Sequence, residues 1–229
     1  MYFYIQNLTQ TDLNPEQSAH LMTMRVQVGD VLCATDLQGN LAKITIKTVD
    51  KKQKNISYKI LKTEKISKSL SKTPNQKILF QAIPDKTYLE KLVEILPLLG
   101  VDIVYLFFAD RSIKCSIQMD RVNKILIRSC EQSQSVFCPK IQILNTKQEL
   151  EPLLQDHKPL VLECQDMATV TLENCTQNTT KKSVLIGCEG GWTSVEIQYF
   201  QSLGLDFVHL GDTIYPAWYA SSVYFLGNL

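Results

Sequence analysis

The stretch SVLIGCEGGWTSVE, residues 183–196, is the most informative part of this sequence. Residues 183–187 form a mostly apolar run, as in a strand that is buried in a parallel sheet. Thr193 and Glu196 have the spacing of a capping box, which predicts that a helix begins directly after the glycines. A strand, a glycine-rich turn and a capped helix in this order form a ligand-binding geometry, because glycines let a ligand approach the backbone and helix amides attract polar groups.

A second glycine turn strengthens this interpretation. Leu210-Gly211 lies at the end of a predicted strand at 205–210 and precedes a predicted last helix at 214–226. The first turn matches neither GxGxxG nor GxxxxGK[ST], so the usual dinucleotide and nucleoside triphosphate sites are not indicated. One such turn alone is equally compatible with a tight strand-to-helix connection. Two of them, at the carboxyl ends of neighbouring strands, lie where open α/β sheets bind ligands.

The residues before this stretch alternate between strand and helix patterns. Apolar runs predict strands at 77–83, 103–109, 141–144 and 160–164. Helical periodicity predicts helices at 87–99, 121–134 and 148–154. This alternation predicts an α/β domain with a mostly parallel sheet that is covered on both faces.

The N-terminal part has a different pattern. Alternating apolar and polar residues predict strands at 42–49 and 56–61, with one helical insertion at 14–21. Short strands at this spacing indicate a small β-barrel. Residues 63–77 have the composition of a linker, so we expect one domain at 1–70 and a second at 71–229.

The net charge of +1 conceals a difference between the two parts. Residues 1–77 contain twelve basic and six acidic residues (+6), and the remainder contains twelve basic and seventeen acidic residues (−5). A basic segment joined to an acidic one suggests that the first part meets a polyanion. A solvated, lysine-rich surface explains the same charge equally well.

Several classes of protein are not indicated. The seven cysteines form no CxxC pair and the three histidines have no metal-like partner at i+3 or i+4, so neither a disulfide framework nor a metal site is expected. The N-terminus lacks the pattern of a signal peptide, and the longest apolar run, 103–109, is too short to cross a bilayer. We therefore expect a soluble, cytoplasmic protein with reduced thiols and no membrane partner.

The segment IGCEGGW at 186–192, with the capped helix and Leu210-Gly211 after it, resembles the C-terminal signature of the 16S ribosomal RNA uridine N3-methyltransferases. These enzymes belong to the SPOUT superfamily, whose members tie a trefoil knot. Further landmarks of the family occur in the same order along the chain. They are Ala19-His20-Leu21, Met24-Arg25, Gly29-Asp30, Gln81-Ala82-Ile83-Pro84, Leu99-Gly100-Val101, Asp110-Arg111-Ser112 and Cys130-Glu131-Gln132-Ser133.

The resemblance implies a trefoil-knotted, mostly parallel α/β domain that binds S-adenosylmethionine, and a small PUA-like β-barrel that grips RNA. It also implies a homodimer that methylates uridine N3 in the RNA of the small ribosomal subunit. Carried over by position, the cofactor-binding residues are Leu162, Ile186, Gly187, Glu189, Gly190, Gly191, Leu210, Gly211 and Ile214.

Other residues have less defined roles in this resemblance. Arg25 and Arg111 are candidate RNA contacts, although a surface role for Arg25 and a structural, acid-paired role for Arg111 are equally compatible with the sequence. Glu131 and Gln132 are expected either near the substrate or in packing and surface roles. The catalytic base is not identified.

The chain departs from the family in its last motif. Pro216, Trp218 and Tyr219 stand where the family has arginine, glutamate and threonine. The two aromatic residues either stack on a base or on adenine, or pack in the core. Two hypotheses follow: a divergent, active methyltransferase, and a degenerate paralogue that retains RNA binding or a dimeric interaction without methyl transfer.

Overall fold

The computed structural model describes residues 2–67, 76–163, 170–171 and 183–227. The chain divides into two units: Met1–Leu70 with Ile127–Cys138, and Ser71–Leu126 with Pro139–Leu229. The assignment of domains to 1–70 and 71–229 stays a prediction. Of the expected linker, residues 63–65 belong to a strand and residues 68–75 lie outside the described residues.

The first unit contains a four-stranded sheet. Its elements are β1 (Tyr2–Tyr4), α1 (Pro15–Thr23), β2 (Val31–Thr35), β3 (Asn40–Asp50) and β4 (Asn55–Lys65). The strand order is β1-β2-β3-β4, in which β1 pairs with β2 in parallel and the other pairs are antiparallel. The alternating pattern places Ile44 and Ile46 in the core, as period-2 patterning requires. The predicted helical insertion is confirmed.

Residues 127–138 belong to this first unit through specific hydrogen bonds. The N–H of Tyr4 donates to the carboxylate of Glu131 at 2.8 Å. The N–H of Gly39 donates to the Val136 carbonyl at 2.9 Å, and that of Cys138 donates to the Leu37 carbonyl at 3.0 Å. These long-range contacts are not visible as a sequence pattern.

The second unit is built on a seven-stranded parallel sheet. The strands are β5 (Ile78–Ala82), β6 (Ile103–Phe107), β7 (Lys140–Leu144), β8 (Leu160–Leu162), β9 (Val170–Thr171), β10 (Ser183–Ile186) and β11 (Phe207–His209). Their order is β7-β6-β5-β10-β8-β11-β9, and every neighbouring pair is parallel. The predicted α/β class with a mostly parallel sheet is confirmed.

Helices follow most of these strands, as predicted. They are α2 (Lys86–Leu99), α3 (Met119–Gln132), α4 (Lys147–His157), α5 (Ser194–Ser202) and α6 (Ala217–Gly227). The apolar stripe of α2 is buried, and this helix ends at Gly100, whose φ of 64° is in the left-handed region. The last helix begins at Ala217 rather than at residue 214, because Pro216 disfavours helical backbone at the residue before it.

The sequence did not predict β9, whose two residues are too few to produce a pattern. Cys164, the predicted end of β8, and Cys175 lie outside the described residues. Among the helices that the structure describes, none has both the length and the apolarity to cross a bilayer. Within the same residues, no group of three or more His, Cys, Asp or Glu side chains is placed to hold a metal ion.

Candidate functional site

A cleft of about 760 Å³ opens at one edge of the parallel sheet. The carboxyl ends of β8, β10 and β11 contribute to it, and these three strands are in the order β10-β8-β11. Parallel strands end at the same edge, so segments that are far apart in sequence meet there. The volume is within the usual range for small-molecule sites.

All nine residues that the resemblance assigned to a cofactor line this one cleft. They are Leu162, Ile186, Gly187, Glu189, Gly190, Gly191, Leu210, Gly211 and Ile214. Arg111 also lines the cleft. Arg25 lies instead in the first unit, where it is exposed and has a φ of 59°.

The first glycine turn depends on the absence of side chains at two positions. Gly191 has a φ of 65°, and its N–H donates to the Cys188 carbonyl at 2.9 Å, which closes the turn. A Cβ on Gly187 would lie 3.3 Å from Cε2 of Trp192. The backbone at residues 187–191 can therefore lie directly against the indole ring.

Trp192 forms part of the floor of the cleft. Its side chain is 5% exposed, and its indole N–H donates to the Leu162 carbonyl at 3.1 Å. The ring stacks on Phe107 with 6.3 Å between centroids and meets Phe200 edge-on at 5.0 Å. Trp192 thus fastens the first glycine turn to the end of β8.

Arg111 holds the same turn from the other side. Its Nη1 donates to the carbonyls of Gly190 at 2.7 Å and Trp192 at 3.1 Å. A Cβ on Gly190 would lie 3.1 Å from Cβ of Arg111, so the glycine allows this close approach. The predicted structural alternative for Arg111 involved an acidic partner, whereas these hydrogen bonds go to backbone carbonyls.

The predicted capping box at the start of α5 is confirmed and reaches further than predicted. Glu196 is buried and accepts from the N–H of Thr193 at 2.8 Å. Its second carboxylate oxygen accepts from the N–H of Asp110 at 2.9 Å. The capping glutamate therefore also fixes the Asp110-Arg111 turn.

Gln81 supports the cleft from below. This residue of β5 is fully buried, and its Nε2 donates to the carbonyls of Gly187 at 2.9 Å and Ala82 at 3.0 Å. Gln81 is one of the landmarks of the family resemblance, but no role was predicted for it. Its position in a buried apolar strand was the available signal, because buried amides need hydrogen-bond partners.

The second glycine turn is held by a histidine. Gly211 has a φ of 94°, and its N–H donates to Nδ1 of His209 at 3.2 Å. An imidazole that accepts at Nδ1 and is neutral carries its proton on Nε2. His209 lines the cleft, although no role was predicted for it from the sequence.

Glu131 and Gln132 are not among the residues that line the cleft, and both belong to the first unit. The carboxylate of Glu131 is buried and binds the backbone of β1. Burial raises the pKa of this carboxyl group, although the hydrogen bond from Tyr4 acts in the opposite direction. The burial and the hydrogen bond to Tyr4 fit the packing alternative, and a position of Glu131 near the substrate stays a prediction.

Known proteins are similar to this chain in sequence and in fold. The family model of the RNA methyltransferase domain matches residues 71–217. The Ribosomal RNA small subunit methyltransferase E of two Helicobacter pylori strains is 36% identical over 118 residues. This match covers 49% of the chain and 49% of each relative, so the chain spans about half the length of the curated relatives it matches.

Solved structures share the fold over nearly the whole chain. Ribosomal RNA small subunit methyltransferase E from Neisseria gonorrhoeae, bound to S-adenosyl methionine, has a TM-score of 0.81 at 20% identity, covering 99% of this chain and 95% of that one. A Legionella pneumophila protein in complex with the same cofactor has a TM-score of 0.81 at 20% identity, covering 99% and 96%. Because the family model spans more than half of the residues, this chain belongs to the RNA methyltransferase domain family.

Proposed function

We propose that this chain is an S-adenosylmethionine-dependent methyltransferase that methylates N3 of a uridine in 16S ribosomal RNA. One observation carries the proposal: the nine residues assigned to the cofactor by resemblance line a single cleft at the ends of three adjacent parallel strands. The family and the cofactor-bound structures of the same fold support the reaction class.

The residues present fit S-adenosylmethionine. The glycine turns at 187–191 and at Gly211 would present backbone amides and carbonyls to the polar edge of adenine and to the ribose. Apolar side chains at the same cleft would contact the faces of the adenine ring. These are Leu162, Ile186, Leu210 and Ile214.

The chemistry requires little from the protein beyond positioning and charge. When bound, the cofactor supplies an electrophilic methyl carbon on a sulfonium sulfur. In the transfer, the bond from N3 to this carbon forms, the carbon–sulfur bond breaks, and sulfur keeps the electron pair. The proton on N3 passes to solvent water, and the negative charge that develops on the base is neutralised as N3 gains the methyl group. The Nε2–H of a neutral His209, or the remaining donors of Arg111, can support that charge at the cleft.

The knot and the barrel belong to the same proposal. We infer that β8, β10, β11 and the turns after them form the trefoil-knotted SPOUT core. We infer that the basic first unit is the PUA-like barrel, which would grip RNA with help from Arg25. A homodimer that acts on the small ribosomal subunit in the cytoplasm completes the proposal.

Calorimetric titration with S-adenosylmethionine tests the cofactor site. We expect binding by the unaltered protein and about tenfold weaker binding by Ile214→Asp, because a charged group would replace an apolar one at the cleft. Ile214 is 83% exposed, so the substitution does not disturb the core. Val195→Asp, at a 63% exposed aliphatic residue that does not line the cleft, is the matched control and should bind normally.

Transfer of labelled methyl groups to 16S RNA or to small ribosomal subunits tests the reaction. Mass spectrometry of the digested RNA should detect N3-methyluridine. Cofactor binding without transfer to either RNA would instead favour the degenerate paralogue. Absence of binding at millimolar cofactor would reject the enzyme.

A further inference from the structure

Two cysteine side chains meet at the end of α3, in the first unit. Cys130 lies in the last turn of this helix, and Cys138 lies in the segment that follows it. The thiol of Cys130 donates a hydrogen bond to the sulfur of Cys138. Two thiols in such contact need only small side-chain rotations to reach the sulfur–sulfur distance of a disulfide, about 2 Å.

The backbone after α3 explains why these two residues meet. The N–H of Ser135 donates to the Cys130 carbonyl at 2.9 Å, across the end of the helix. The N–H of Gln134 donates to the Glu131 carbonyl at 3.4 Å, and Gln134 has a φ of 55°. These two hydrogen bonds and the left-handed residue form a Schellman motif, which reverses the chain. The segment that follows is therefore directed back beside the last turn of α3.

The same segment is fixed from its other side by the turn between β2 and β3. The N–H of Cys138 donates to the Leu37 carbonyl at 3.0 Å. The N–H of Gly39 donates to the Val136 carbonyl at 2.9 Å. Backbone hydrogen bonds on both sides thus hold the sulfur of Cys138 at its partner thiol, so the contact does not depend on one side-chain rotamer.

The two thiols differ in exposure and in acidity. Cys130 is fully buried, whereas Cys138 is partly exposed. The hydrogen bond from Cys130 lowers the pKa of the Cys138 thiol, although burial acts in the opposite direction. Because the thiolate is the nucleophile in thiol–disulfide exchange, Cys138 is the sulfur that reacts first with an oxidant. Cys130 is then in position to react with the sulfur of Cys138.

We propose that Cys130 and Cys138 form a thiol-modification site, which a low-molecular-weight disulfide such as glutathione disulfide converts into a reversible disulfide bridge. The Cys138 thiolate attacks one sulfur of glutathione disulfide, so that a mixed disulfide forms and one glutathione thiolate leaves. Cys130 then loses its proton to solvent, and its sulfur attacks that of Cys138 and displaces the second glutathione thiolate. Two cysteines are oxidised, one glutathione disulfide is reduced, and the two glutathione thiolates take up the protons that the cysteines lost.

The bridge would close a short loop in the first unit. In the dithiol form, hydrogen bonds alone join residues 135–138 to the turn between β2 and β3. A covalent link from Cys138 to α3 restricts the open conformations of this segment, as a disulfide restricts an unfolded chain. Disulfides in reducing compartments are usually transient, so a bridge that glutathione can form and break is compatible with thiols that are otherwise reduced.

Peptide mapping of the oxidised protein tests the proposal. Trypsin cleaves after Arg128 and after Lys140, so both cysteines lie in one peptide, residues 129–140. The folded protein is incubated with glutathione disulfide, denatured in N-ethylmaleimide and digested. We expect this peptide to be two hydrogen atoms lighter and to carry no maleimide, and to regain both thiols after treatment with dithiothreitol. A peptide that carries maleimide on both cysteines after oxidation would overturn the proposal.

Serine variants test the order of the two steps. Cys130→Ser should keep glutathione on Cys138, because the second thiol is missing. Cys138→Ser should leave the buried Cys130 unmodified, and glutathione on Cys130 in that variant contradicts the assigned order. Cys115→Ser removes a different, partly exposed thiol and is the matched control, which should form the bridge as the unaltered protein does. Mapping of the unaltered protein needs no substitution, so a variant that does not fold leaves the main test intact.

Hydrogen exchange provides a second readout. Exchange of the Gly39 amide, which is bonded to the Val136 carbonyl, should slow at least about tenfold in the bridged protein. The amide of Ile46, bonded to the Asp30 carbonyl in the same unit, is the internal control and should exchange equally in both forms. Equal exchange of Gly39 in the two forms would show that the bridge does not hold this segment. None of these measurements requires cofactor or RNA, so the inference and the proposed function can fail separately.

Discussion

At the scale of single residues, Trp192 joins two segments of the cleft that are 30 residues apart in sequence. Its indole N–H satisfies the Leu162 carbonyl at the end of β8, and its ring fills the space beneath Gly187. The hydrogen bond to the Leu162 carbonyl therefore fixes the position of the ring beneath Gly187. Loss of either contact should affect both the stability of the fold and the shape of the cleft.

Trp192→Phe should destabilise the protein by about 1–3 kcal/mol, because the buried Leu162 carbonyl loses its donor while most of the ring volume remains. Urea unfolding measures this change. Trp218→Phe is the matched control on a partly exposed tryptophan and should cost less. An equal loss in the two variants would show that the hydrogen bond to β8 contributes nothing specific.

Arg111→Ala should weaken S-adenosylmethionine binding by about tenfold, since two carbonyls of the first glycine turn lose a charged donor worth roughly 1 kcal/mol after solvent screening. Calorimetric titration measures the effect. Arg121→Ala, which removes an exposed arginine paired with Glu90, is the control and should bind normally. Unchanged affinity in Arg111→Ala would leave an RNA contact as the remaining role of this side chain.

At single residues, local features could be predicted from the sequence, but contacts between distant segments could not. The glycines could be predicted, because a strand, glycines and a helix cap form a local pattern. The contacts of Trp192 and Arg111 could not, because Arg111 and Gly190 are 79 residues apart and no local pattern records this pairing. The bond from Gln81 to the Gly187 carbonyl spans 106 residues and could not be predicted either, whereas His209 bonds to Gly211 only two residues away and was missed because a single histidine beside a glycine forms no recognised motif.

At the scale of elements, the start of α5 both caps its own helix and binds a second segment of the chain. Glu196 satisfies the N–H of Thr193, as a capping box does, and also that of Asp110 in a different segment. Helix formation and the position of the Asp110-Arg111 turn are therefore linked through one carboxylate.

Thr193→Ala should cost about 1 kcal/mol of stability, the usual value for loss of an N-cap. Glu196→Ala should cost more, about 2–3 kcal/mol, because it removes the acceptor of two backbone N–H groups at a buried position. Chemical denaturation compares the two variants. Equal costs would indicate that the bond to Asp110 adds no stability.

Most helices and strands were predictable from periodicity and from caps, as α2 with Gly100 illustrates. The start of α6 was not, because periodicity extended the helix to residue 214 while the proline at 216 prevents helical backbone before it. The order of the strands in the sheet could not be predicted from the sequence either. The apolar runs of β5 and β10 predict two buried strands but do not predict that these strands are neighbours.

At the scale of the whole molecule, the buried Glu131 makes stability depend on pH. Its folded pKa is raised above the unfolded value, so the carboxyl group is protonated in both states at low pH and imposes no ionisation cost there. As pH rises from the usual glutamate range through the raised folded pKa, ionisation favours the unfolded state and this stability is lost.

Glu131→Gln should therefore be more stable than the unaltered protein near pH 8, and the difference should vanish near pH 4. Glutamine keeps an acceptor for the N–H of Tyr4. Glu131→Ala, which removes the acceptor, should be less stable than Glu131→Gln at both pH values. Urea unfolding at the two pH values measures these free energies of unfolding. A stability difference between Glu131→Gln and the unaltered protein that does not change with pH would contradict the expectation.

The position of β10 has a consequence for how the molecule folds. This strand, which begins at Ser183, pairs with β5 on one side and β8 on the other, so Ser183 sits beside Ile78. The centre of the sheet cannot close until residues made late in synthesis have been inserted between strands made early. Such non-local pairing slows folding. A nascent chain that stops before β10 would leave the edges of β5 and β8 unpaired, and unpaired edges invite aggregation.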